Sequence, residues 1–400
     1  MRRPGTEWVT FAEEGVTIEK RAWWKAGITQ GMGMGKKNAF PFRDFVRAQS
    51  AQRGAKMNRR ELLLYTLQNQ YLLQKADRNT VVSGLCGLQA QFANNPSYAL
   101  RIRASDFSED NWDKGLVKVW THRNTIHVIL QEELGLYLSA KGVQREWTES
   151  WWGIPVKVKP YWSAFIREKV AEGICGREGL KEACRLAGME EDLLGCVFNG
   201  WGGLIKEMSD RGLIAYEPGT QKRFLLPKEP VWMDRDEARC ILMERYFTHY
   251  GPATAEDCAA FTGWRLTEVR SLLRRADLPL QSVECEGTAY YYIGSLRAER
   301  GLPSCVYLAG FDQLLMGYKD RSRFLDPEDG PLAVNQAGIV FPGILLYGRL
   351  RARWKWEGGR LLITPYRPLS GHDCRLIAAA GRRLFASRKM EVLFQKPCRG

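Results

Sequence analysis

Between residues 238 and 292 apolar side chains recur at helical spacing, stop, and resume as strands. Ala238, Ile241, Leu242 and Tyr246 mark one helix, which Gly251-Pro252 ends. Thr254 with Asp257 has the form of a capping box and starts a second helix, closed by Gly263. Leu266, Val269, Leu272 and Leu273 form the stripe of a third. Strand-like residues then flank Glu286-Gly287, with Val283 before it and Ala289 to Tyr292 after. Helices followed by a two-stranded hairpin are the order of a winged helix-turn-helix.

The same order occurs twice earlier. Over 163–228, Phe165, Ile166, Val170 and Ile174 predict one helix, Leu180 to Leu186 a second, and Leu204 to Arg211 the end of a third. A hairpin of Leu213–Tyr216 and Arg223–Leu226 turns at Pro218-Gly219. The first unit opens on a helix at 59–74. It closes on a hairpin, Leu116–Trp120 and Thr125–Leu130, across His122-Arg123-Asn124. From about 303 the chain turns β-rich. Pro342 to Tyr347, Arg349 to Trp356 and Arg360 to Thr364 read as successive strands, and 371–389 as a helix carrying Arg375, Arg382, Arg383 and Arg388.

The pattern therefore predicts an α+β protein: about three tandem winged helix-turn-helix domains with a β-rich, barrel-like C-terminal region. The expected divisions are a basic N-terminal arm (1–56), winged helices over 57–150, 151–235 and 236–300, and a β-rich domain with a terminal basic helix (301–400). The arm holds Trp8, Trp23 and Trp24, and its Gly31 to Lys37 run resembles a phosphate loop only superficially, because no Ser or Thr follows Gly35-Lys36.

Charge narrows the class. The net charge of +14 is spread along the chain with acidic residues between, which favours a folded protein with a basic, phosphate-attracting face over a disordered polybasic tail. None of the ten cysteines makes a Cys-x-x-Cys pair, and only Cys374 has a histidine nearby, His372, so no zinc, iron–sulfur or other cofactor is expected. No signal peptide or membrane-length apolar run is present, which predicts a cytoplasmic, nucleoid-associated protein; a monomer is expected.

The candidate chemistry lies in Leu85-Cys86-Gly87-Leu88-Gln89-Ala90-Gln91-Phe92. The carboxamides of Gln89 and Gln91 do not ionise near pH 7, so neither is an ordinary general base. Two such amides can hold a water at a fixed place, which suffices only where the leaving group departs easily. DNA offers one: a purine made cationic by alkylation. From the residues alone, these glutamines could equally satisfy backbone groups near a helix end.

Other candidates have two readings each. His122 and His127 contact phosphate or lesion, or are structural. Arg123 contacts phosphate, or makes a surface ion pair. Arg265, Arg270, Arg274 and Arg275 belong to a DNA-facing recognition helix, or to a solvated face. Asp312 and Asp320-Arg321 brace the C-terminal region, or Asp312 supplies an acid to the crevice.

Together the motifs resemble the AlkZ/YcaQ-type winged-helix DNA glycosylases. The pieces are Gly87 to Gln91, Trp120 to His127, Gly251-Pro252-Ala253-Thr254, Gly310-Phe311-Asp312 continued by Gly317 to Arg321, and Gly338 to Pro342 followed by Gly348-Arg349 and Trp354-Lys355. The resemblance covers about 57–390. It implies hydrolysis of the N-glycosidic bond of alkylated purines in double-stranded DNA, with Gln89 and Gln91 as the catalytic pair, and possible unhooking of interstrand crosslinks. Some relatives carry Asp where this chain has Gln91. Asn124 stands where glycine is usual, and Ala352-Arg353 replaces a Gly-Thr-like pair. The arm has no counterpart, and Met57 would set the glutamine motif close to a chain start, as in the family. The competing class is a non-enzymatic winged-helix regulator or architectural protein, which would bind duplex DNA without releasing a base.

Overall fold

The computed structural model describes residues 8–11, 16–19 and 55–398, apart from 144–145, 151, 201, 220–221 and 297–300. Trp8–Phe11 (β1) and Val16–Glu19 (β2) pair antiparallel within a unit spanning Met1–Ala48. This ladder replaces irregular arm over those eight residues. Trp23, Trp24 and the Gly31 to Lys37 run lie outside the described residues. All that follows concerns the unit from Gln49 onward.

Local chemistry starts its helices where the sequence signals lie. Asn58 and Glu61 form a reciprocal capping box on the helix Arg59–Asn69, which ends short of the expected 74. Asp234 caps Arg235–His249 through two backbone N–H groups. Thr254 and Asp257 complete the expected box on Ala255–Thr262, and Gly263 ends that helix in the left-handed region at φ 77°. The helix Leu266–Arg275 follows, then the hairpin of Gln281–Cys285 (β9) and Thr288–Tyr292 (β10). A third strand, Ala55–Lys56 (β3), runs parallel to β9. Two residues assigned to the arm are thus part of this wing's sheet.

A five-stranded sheet carries the glutamine motif. Its order is Leu88–Gln89 (β4), Ile126–Leu130 (β6), Leu116–Trp120 (β5), Ala215–Tyr216 (β7) and Phe224–Leu225 (β8). The hairpins of the first two units therefore share one sheet, joined by the Lys118–Tyr216 pair. The second unit keeps a separate core around Ile166, Leu180, Val197, Leu204 and Phe224. A larger core runs continuously from Leu67 through Phe247 to Phe385.

The C-terminal sheet corrects the barrel-like expectation. Cys305–Leu308 (β11), Gly343–Leu346 (β12), Arg349–Glu357 (β13) and Arg360–Pro365 (β14) form an antiparallel run, and Glu391–Phe394 (β15) adds parallel to β14. A parallel neighbour needs a crossover, which the helix Gly371–Leu384 supplies. That helix lies against the sheet through Tyr307 and Gly381, and the first and last strands remain unpaired edges rather than closing. The helix stops at Leu384, so Arg388 lies beyond it and instead pairs with Glu109.

Candidate active site

The chain enters the motif through a tight turn, with Cys86 at φ 53° and Gly87 at φ 84°. A side chain on Gly87 would stand 2.8 Å from the Ile129 methyl, so only glycine lets β4 approach β6 here. Three buried side chains hold the carbonyls of this turn. Tyr250 Oη donates to Leu85 O (2.8 Å), His122 Nε2 meets Cys86 O (3.1 Å), and Gln313 Nε2 donates to Gly87 O (2.6 Å). Each comes from a different stretch of chain. Losing one strands a buried carbonyl, at about 1–3 kcal/mol.

Past the turn Leu88 pairs with Val128 and Gln89 with His127. The register places Gln89 and His127 on one face of the sheet. Gln89 is buried, at 5% exposure. Its Oε1 accepts a hydrogen bond from Arg123 Nη2 (2.9 Å). The other nitrogen, Arg123 Nη1, donates to the carbonyl of Phe261, over whose ring the guanidinium lies. Arg123 and Asn124 occupy the left-handed region at φ 51° and 55°, which aims the arginine inward, and Asn124 tolerates that backbone without the family's usual glycine. Burial, with Arg321 nearby, pushes the Arg123 guanidinium down to about 10. No acidic side chain pairs with Arg123 among the described residues. Arg321 is itself pushed down by burial, and its Nε has no partner among them.

His127 is fully buried and offers no atom to solvent. Its Nδ1 contacts Thr121 Oγ1 (2.9 Å) and the Thr125 carbonyl (3.1 Å), while Nε2 has no partner among the described residues. A bond to the carbonyl puts the proton on Nδ1 and leaves Nε2 a bare acceptor. Burial, reinforced by Arg123 and His122, holds His127 well below the usual histidine range. His122, packed against Phe261 and Tyr137, is pushed down to about 3 by burial. Both imidazoles beneath the motif are neutral at pH 7.

Gln91 differs from Gln89 in every respect. It lies beyond the strand, in the bend before the helix Asn94–Arg103, exposed to solvent. Phe92 beside it packs at 6.0 Å from Phe311. The site thus offers one rigid inner amide and one amide open to whatever docks.

Asp312 has no atom free for acid chemistry. It accepts two bonds from Arg103 (2.9 and 2.6 Å) and one each from the N–H groups of Ala309 and Leu314 (2.9 Å), with both charged side chains wholly buried. It braces the loop that delivers Gln313. On the helix Leu266–Arg275 the arginines divide. Arg265 and Arg274 are exposed, Arg270 is ion-paired with Glu256, and Arg275 with Asp236. The residues that sequence reasoning missed are Tyr250, Gln313 and Arg103. Gln313 and Tyr250 lay beside signals, the Gly310-Phe311-Asp312 and Gly251-Pro252-Ala253-Thr254 motifs. Among the described residues no group of three or more His, Cys, Asp or Glu side chains could hold a metal ion, and no helix is long and apolar enough to cross a membrane.

The sheet, its clamped turn and the two amides can be set beside known proteins. A family model described as DNA glycosylase AlkZ-like matches residues 82–386. The interstrand DNA cross-link repair glycosylase of Streptomyces sahachiroi is 28% identical over 338 residues, covering 77% of this chain and 90% of that protein. The solved structure of the Streptomyces sahachiroi DNA glycosylase AlkZ superposes with a TM-score of 0.69 at 23% identity, covering 85% of this chain and 100% of that one. The protein is a DNA glycosylase, which sets aside the non-enzymatic alternative. Within that class it belongs to the AlkZ-like family.

Proposed function

We propose that the protein hydrolyses the N-glycosidic bond of cationic N7- and N3-alkylpurines in duplex DNA, with water held between Gln89 and Gln91. The observation that carries this reading is the pairing of a buried carboxamide, fixed by Arg123, with an exposed one two residues later. Alkylation makes the purine a leaving group that needs no proton. The bond's electrons return to the ring and neutralise it, water oxygen bonds the sugar carbon, and one water proton passes to solvent. Holding that water in place removes an entropic part of the barrier, and the amide oxygen of Gln91 offsets charge developing on the sugar. No titrating acid, metal or cofactor is required. By analogy with the relative named for interstrand cross-link repair, crosslinks joined through such purines are a further substrate. The protein acts as a monomer, with the exposed Arg265 and Arg274 facing the phosphates.

The test is an oligonucleotide carrying one N7-methylguanine, incubated with the protein in the presence of a chelator. Free 7-methylguanine and an abasic site are expected. Uracil released as efficiently as the methylated base would overturn the cationic-substrate reading.

A further inference from the structure

The reading of Gln89 and Gln91 as water holders leaves their division of labour open, and the hydrogen bonds around Arg123 bear on it. A guanidinium carries five donors and no acceptor, so it can meet only the oxygen of a carboxamide. The Arg123 contact at 2.9 Å therefore excludes the flipped amide and leaves the Gln89 NH2 group directed away from the arginine. The arginine is itself fixed from behind. Its other nitrogen is tied to the Phe261 carbonyl, and its backbone lies against Gly263, where a methyl would stand 3.0 Å from the Arg123 Cα. Both terminal nitrogens are thus engaged inside the protein, which is not how a phosphate contact is built.

We propose that Arg123 is a positioning residue of this site, one that locks the Gln89 carboxamide so that its NH2 donates to the oxygen of the attacking water while the Gln91 oxygen accepts a hydrogen bond from that water. The inference rests on the proposed glycosylase chemistry at these glutamines and adds the residue that sets their geometry. A charge-assisted bond also draws electron density from the Gln89 oxygen. That weakens it as a hydrogen-bond acceptor, strengthens the NH2 donor, and leaves the acceptor role to the exposed Gln91.

The experiment is single-turnover release of 7-methylguanine under protein excess, beside duplex affinity measured across a salt series. Arg123→Ala should slow release on the order of tenfold to a hundredfold. Its salt slope should match wild type. The Gln89→Ala/Arg123→Ala double variant should be no slower than Gln89→Ala, because Arg123 acts only through that amide. Arg123→Met, which keeps bulk without donors, is held to the same criteria if Arg123→Ala melts below the assay temperature. Release at the wild-type rate overturns the inference. So does a double variant slowed by the product of the single effects, or a salt slope reduced by about 0.9, the signature of one lost phosphate contact. Wild-type protein that releases no base would instead sink the proposed function.

Discussion

Two hairpins with strands of equal length are used in opposite ways. Leu116–Trp120 with Ile126–Leu130 turns through Arg123 and Asn124, and Gln281–Cys285 with Thr288–Tyr292 turns through Glu286 and Gly287, all four at positive φ. The first is buried along nearly its whole length. The second alternates, with Val283 and Cys285 inward and its polar positions in solvent. Their compositions record this: Leu-Val-Lys-Val-Trp and Ile-His-Val-Ile-Leu against Gln-Ser-Val-Glu-Cys. A hairpin buried on both faces has little water to satisfy its polar atoms, so its turn is held inside the protein, with Arg123 bonded to Phe261 and Gln89. The half-exposed hairpin leaves its turn in solvent, where Glu286 pairs with Arg59.

The largest expected contrast is in stability. Asp312→Ala leaves Arg103 charged and fully buried behind the loop that brings Gln313 to the glutamine turn, which should cost about 3–5 kcal/mol. Glu286→Ala removes an exposed partner of Arg59 at the second turn and should cost about 1 kcal/mol or less. Denaturant midpoints measure both, and equal losses would erase the distinction.

Next in size is catalysis. Gln89→Ala and Gln91→Ala should each slow base release on the order of tenfold to a thousandfold at unchanged DNA affinity. Full activity in the double variant would remove the site from the buried hairpin altogether.

Acid should act through the first region. His122 and His127 are held below their unfolded value by burial, so the unfolded state binds more protons as pH falls below about 6.5. Stability is then highest above that pH and should decline as pH falls, by up to about 1.4 kcal/mol per pH unit for each histidine, with the His122 part running down to about pH 3. A melting temperature constant from pH 7 to 4 would mean the imidazoles are not buried neutral.

The smallest effect lies with the third unit. Arg265→Gln with Arg274→Gln should lower the salt slope of duplex binding by up to about 1.8, at about 0.9 per phosphate. Arg270→Gln should add little, because Glu256 already occupies that side chain. An unchanged slope would move the DNA face to another surface.

Much of this was legible from the chain. Capping at Thr254 and Asp257, the Gly263 stop and the three hairpin turns are local signals whose meaning is fixed within four residues. What escaped is long-range. Period-two alternation tells which side of a strand is apolar, not which strand lies next to it. Nothing local could therefore show that Lys118 pairs with Tyr216, or that β15 joins parallel and leaves the C-terminal sheet open. Arg123 read as a surface residue because it occupies a turn, and only the packing of Phe261 and Gly263 turns it inward.

The three carbonyl holds on the glutamine turn also set a schedule for biosynthesis. Gln313 lies 226 residues after Gly87, and Tyr250 lies 165 after Leu85. Contacts so distant in sequence are slow to form and come late. A nascent chain on the ribosome exposes Gln89 and Gln91 early and can pair β4 with β6 soon after, but the turn before Gln89 lacks its last hold until residue 313 has emerged. The fixed geometry of the buried Gln89 thus waits for more than three quarters of the polypeptide.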